Sequence, residues 1–162
     1  MNDLDRLCIE HECTKLMTLY CLHLDHPDAD GFAGIFTQDA LYKPAARPEP
    51  VRGRYAIRAW LEAYPRDRLG RHVSTNQVVD VLDEDHARGR SYGVVWREPE
   101  PRAGVVSSNV SPRSLVEYFD EFVRTDEGWR ISFRYYQLNF MHADEVVRPA
   151  PWSPDASDRT KD

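Results

Sequence analysis

The stretch RHVSTNQVVDV, residues 71–81, reads as a β-strand, and the two-residue alternation of a strand puts His72, Ser74 and Asn76 on one face. An imidazole has an unperturbed pKa of about 6.5, so a histidine that looks into a cavity is suited to take and return protons near neutral pH. Ser74 and Asn76 beside it would orient a substrate through hydrogen bonds. Other constellations carry less. HPDADG, residues 26–31, resembles the start of a calcium loop, but its first position is His26 and its twelfth is Thr37, where a bidentate Glu is required. His23 and His26 lie near Asp25, Asp28 and Asp30, yet a charged turn after a helix is ordinarily solvated surface, and no metal is expected. Cys8, Cys13 and Cys21 fall on one helical segment at least about 7.5 Å apart, too far to bridge, and read as buried apolar groups.

The elements that must position His72 follow from periodicity. Asn2 or Asp3 caps a first helix whose apolar residues Ile9, Cys13, Leu16, Met17, Tyr20 and Leu24 recur every three or four positions. DHPDADG breaks it, because Pro27 cannot continue a helix and the aspartates and Gly31 favour turns. FAGIF reads as a helical turn, ALYKPAA as a short strand, and GRYAIRAWLEAY as a helix through Ile57, Trp60, Leu61 and Tyr64. Extended runs then cover 71–82, about 86–97, 113–125 and 128–141, separated by turn-forming segments. Helices first and twisted antiparallel strands afterwards give an α+β fold: a cone-shaped curved sheet, mixed or antiparallel, with helices on its concave face enclosing a pocket. Tyr42, Trp60, Tyr92, Trp96 and Tyr118 are candidates to line that pocket.

A length of 162 residues with 41% hydrophobic and 30% charged content fits one domain, assigned to 1–141, followed by a polar tail, 142–162, with isolated Val146, Val147 and Trp152. The net charge of -6 is spread along the chain without a basic stripe, so nucleic acid is not an expected partner. No apolar run approaches the roughly 20 residues of a membrane span, and MNDLDRLCIE lacks the order of a signal peptide; a cytoplasmic protein is expected. The last strand carries Trp129, Ile131, Phe133 and Tyr135 on one face and Tyr136, Leu138 and Phe140 on the other. Helices cover only one side of a sheet, so the other is expected to meet a copy of the same chain.

The order of elements and four stretches resemble the SnoaL-like branch of the nuclear transport factor two superfamily, over about residues 3–141. DLDRL opens the first helix as in hexachlorocyclohexane dehydrochlorinase, YCLHLD sets Tyr20 five residues before Asp25, HVSTN matches that enzyme's His-x-x-Thr-Asn, and GWRISFR places Arg134 five residues after Trp129. That enzyme, scytalone dehydratase and bile-acid 7α-dehydratase eliminate HX or water without cofactors. The resemblance implies an Asp25–His72 dyad, an active-site arginine at Arg134, no cofactor, and a homotrimer. The dehydrochlorinase has a lysine where this chain has Tyr20; the bile-acid enzyme keeps a tyrosine there. A neutral phenol donates a hydrogen bond to oxygen, which favours an oxygenated, hydrophobic small molecule over a chlorinated one. The implied activity is a cofactor-free lyase of the dehydratase type, with His72 as base, Asp25 holding it, and Tyr20 and Arg134 as donors to oxygen. An isomerase or cyclase with the same dyad is an alternative, as is a non-catalytic scaffold like the β subunit of a ring-hydroxylating dioxygenase.

Overall fold

The computed structural model describes residues 1–44 and 49–143, and the tail valines and Trp152 lie outside that range. Its first helix, α1 (Asp3–Asp25), starts at a reciprocal cap: the Asn2 side chain accepts the Asp5 N–H at 2.9 Å, and the Asp5 carboxylate accepts the Asn2 N–H at 3.2 Å. The expected stripe from Ile9 to Leu24 is buried. Asp28 caps the short α2 (Ala29–Gly34) by accepting the Gly31 N–H. Strand β1 (Phe36–Lys43) begins four residues before ALYKPAA, because Phe36 pairs with Ile131 instead of extending the helical turn. A two-residue β2 (Val51–Arg52) precedes α3 (Arg54–Glu62), and four long strands follow: β3 (Leu69–Val81), β4 (His86–Glu98), β5 (Ser114–Thr125) and β6 (Gly128–Met141).

The strands form one curved, unclosed sheet in the order β2-β1-β6-β5-β4-β3, antiparallel throughout except where β1 runs parallel to β6. The α1 stripe packs on one face, chiefly over β3 and β6. Val116, Tyr118 and Phe122 of β5 meet it there, alternating with residues that face away.

Irregularities in two strands change which side chains share that inner face. In β3 the register against β4 shifts between Thr75 and Val78, and Asn76 adopts φ 51°. In β6, Phe122 pairs with Ile131 while Glu121 pairs with Phe133, so Ser132 is an extra residue. The alternation expected for the last strand therefore breaks: Trp129 and Ile131 lie inside, but Phe133 turns outward and Arg134 inward.

Candidate active site

Asp25 is the last residue of α1, where a carboxylate sits at the unfavourable negative end of the helix dipole. Two donors from one residue compensate. The His72 backbone N–H donates to Asp25 Oδ2 at 2.9 Å, and His72 Nδ1 lies 2.6 Å from Oδ1. Because a carboxylate only accepts, Nδ1 carries the proton and Nε2 is left with its lone pair. The side chains are 10% and 6% exposed, so the pair is nearly sealed from water except through a cavity of about 170 Å3. Leu24, Pro27, Tyr64 and Pro65 form the apolar part of its wall, Arg66, Arg68 and Arg97 the cationic part, and Gly70 lies beside the dyad. The volume is well below the roughly 300–1,000 Å3 of drug-sized ligand sites, so it admits the reacting end of a substrate.

Tyr20 and Arg134 do not line this cavity; they meet one another deeper in the fold. The Arg134 guanidinium stacks over the Tyr20 ring at 4.1 Å and over Tyr118 at 4.8 Å. It also donates through Nε and Nη2 to the two Asp120 oxygens at 2.6 and 2.7 Å, while its buried Nη1 has no hydrogen-bond partner. Burial opposes the charge on Arg134, but Asp120 outweighs it and the net shift of the guanidinium is upward. Burial raises the Asp120 carboxyl, and Arg134 pulls the other way; the two short parallel contacts hold the pair ionised. The Tyr20 and Tyr42 hydroxyls lie 2.8 Å apart, and burial pushes both phenols well above their ordinary range, so both stay protonated donors.

The remaining candidates divide between the faces of the sheet. Tyr42 and Tyr118 join Tyr20, Phe32 and Trp60 in a packed aromatic cluster rather than lining the cavity. Tyr92 and Trp96 pair with Thr75 and Arg71, the strand positions opposite in parity to His72, and so project from the outer face; the expectation that they line the pocket is corrected. Ser74 shares the His72 face, but Asn76 is turned out and exposed by its bulge. Gln77 takes its place and donates to Ser74 Oγ at 2.9 Å. Asp30 pairs with Arg58 and Asp28 caps α2, and among the described residues no three His, Cys, Asp or Glu side chains are grouped to hold a metal.

The SnoaL-like domain family matches residues 5–135, a span that contains the dyad, the buried arginine and both irregular strands. The chain belongs to the SnoaL-like family. A protein of unknown function from Mycobacterium tuberculosis, Rv3472, is 30% identical in sequence, with 91% of this chain and 82% of that chain covered and a TM-score of 0.71. A candidate scytalone dehydratase from Novosphingobium aromaticivorans is 23% identical over 90% of this chain and 93% of its own, with a TM-score of 0.70. The hexachlorocyclohexane dehydrochlorinase LinA-type3 from Novosphingobium barchaimii is 19% identical over 87% and 93%, also with a TM-score of 0.70. At those identities the last two establish the shared fold. Among curated proteins no match is found.

Within this SnoaL-like fold, the arginines at the cavity were missed by sequence reasoning because PRDRLG, residues 65–70, reads as a loop. The signal was parity: Arg68, Gly70 and His72 are two residues apart, and Gly70 pairs with Arg97 across β3 and β4. No helix among the described residues is long and apolar enough to cross a membrane.

Proposed function

We propose that this chain is a cofactor-free lyase that eliminates water from a small, hydrophobic, oxygenated substrate, with His72 as general base. The observation that carries the reading is Asp25: both its oxygens are committed to His72, which fixes the proton on Nδ1 and leaves Nε2 as the acceptor. In the step, Nε2 takes a proton from carbon, the electron pair forms the new double bond, and the carbon–oxygen bond breaks. Asp25 stabilises the imidazolium that results. The leaving oxygen takes its proton from that imidazolium and departs as water, so His72 acts first as base and then as acid, while Tyr20 and Arg134 lie outside the cavity and take no part in the proton transfer. The proton taken from carbon leaves in the water and His72 regains its Nδ1–H form, so the balance is substrate to alkene plus water. The dehydratase and dehydrochlorinase among the structural neighbours favour elimination over isomerisation with the same base.

The test is a panel of aromatic β-hydroxy ketones, whose dehydration gives strongly absorbing conjugated enones. His72→Gln and Asp25→Asn should each cut kcat by about 10²- to 10⁴-fold, the usual contribution of an acid-base group, with the thermal unfolding midpoint little changed. Asp25→Asn acts by holding the wrong tautomer. Turnover that survives in a folded His72→Gln protein would sink the proposal.

A further inference from the structure

The cavity wall has a charge opposite to that of the molecule. The chain carries 27 acidic and 21 basic residues and a net charge of -6, yet the cavity is lined by Arg66, Arg68 and Arg97 with a single carboxylate, Asp25. Both oxygens of that carboxylate are spent on His72. Arg68 donates through Nε to Asp67 at 3.1 Å, a contact that uses one edge of its guanidinium. Arg66 is an exposed residue of the cavity wall. Leu24, Tyr64 and Pro65 contribute apolar surface to the same cavity. Guanidiniums on a cavity wall favour an anion there, and their planar forks match a carboxylate in two-pronged geometry.

We infer that the site selects substrates bearing a carboxylate remote from the reacting carbon, with Arg66 and Arg68 as specificity-determining residues. The inference rests on the lyase reading for what happens at the other end of the molecule. A cavity of about 170 Å3 takes the reacting end and an apolar spacer, and the carboxylate stays at the rim beside the guanidiniums. The rim is partly solvated, so its effect is discrimination rather than tight binding. Steering of anions toward the mouth adds a salt-dependent contribution to the association rate.

The experiment uses hydrocinnamate and its neutral isostere hydrocinnamide as probes of the full chain, titrated by calorimetry and by the His72 side-chain resonances. Hydrocinnamate should bind about tenfold more tightly than the amide, and the difference should shrink as salt is raised. Arg66→Gln with Arg68→Gln should abolish the difference while the amide affinity holds. Equal affinities in the unmodified protein, no saturable binding of either probe, or a preference that survives the double substitution would each overturn the inference. Failure of the lyase reading looks different: no His72-dependent turnover across the β-hydroxy ketone panel, with the carboxylate preference intact. Conversely, His72-dependent turnover with equal probe affinities leaves the lyase standing and removes the anion selectivity.

Discussion

Arg134 is a buried cation whose charge is answered inside the fold. It neutralises Asp120 in the interior and stacks on the rings of Tyr20 and Tyr118. Removing one partner of a buried ion pair costs about 3–5 kcal/mol, because the other charge is stranded, whereas replacing both with apolar groups is often neutral or better. Arg134→Met should therefore destabilise by about that amount in urea titrations. Adding Asp120→Leu should recover most of the loss. Turnover should be retained in the folded double variant, because Arg134 does not line the cavity; lost turnover there would show that the arginine serves the reaction as well as the fold. At this scale the sequence was legible where a motif spoke: HVSTN and the resemblance paired His72 with Asp25 across 47 positions, and the structure places them 2.6 Å apart. It was not legible at Arg134, where parity relative to Trp129 pointed the wrong way.

The reason lies in the strands. Side chains alternate with a period of two, so one inserted residue exchanges every later position between the faces. Ser132 does this in β6 and swings Arg134 inward; Asn76 does it in β3 and puts Gln77 where Asn76 was expected. The long strands themselves were readable from extended runs between turns, with boundaries within about two residues. Bulges leave little trace in such patterns, although an asparagine, which tolerates φ above zero, is one trace. Asn76 at φ 51° makes that requirement testable. Asn76→Gly should leave stability nearly unchanged, while the β-branched Asn76→Val should lose about 1–3 kcal/mol by denaturant titration, since that backbone region is strained for it. Equal stabilities would mean that the strand can straighten, with His72 and residue 76 returning to one face.

Across the whole molecule, the buried thiols and phenols set a limit at alkaline pH. Burial pushes Cys13 from 9.0 to about 12 and Cys21 to about 11, and raises Tyr20, Tyr42 and Tyr118 well above 10.0. A group whose pKa is raised on folding contributes stability that is complete below its unfolded value and is lost as pH climbs through its folded value. Unfolding free energy should thus be flat with respect to these groups below about pH 9 and fall progressively from there to about 12. The denaturation midpoint followed against pH checks this. Cys13→Ala with Cys21→Ala should shift the onset upward, toward the phenols; an onset unmoved by that pair would exclude the thiols as its cause.

The outer face of the sheet carries exposed apolar side chains. The helices cover the inner face, and on the other side Val73, Tyr92, Phe119 and Phe140 stand on neighbouring strands, with Val73 48%, Tyr92 41% and Phe140 70% exposed. Such a patch on an isolated chain is an aggregation hazard unless something covers it. Arg90 pairs with Glu117 beside it, so polar groups of both signs border the apolar positions, a composition suited to a self-complementary contact. We propose that three copies of the chain bury these faces against one another. Light scattering should then give three times the 18.8 kDa chain mass at micromolar concentration. Val73→Asp with Tyr92→Asp places two carboxylates on the patch, far from the α1 core, and should yield folded monomers whose Asp25–His72 contact persists in the imidazole resonances. A dilute monomer in the unmodified protein would refute the trimer and leave the outer face without its proposed occupant.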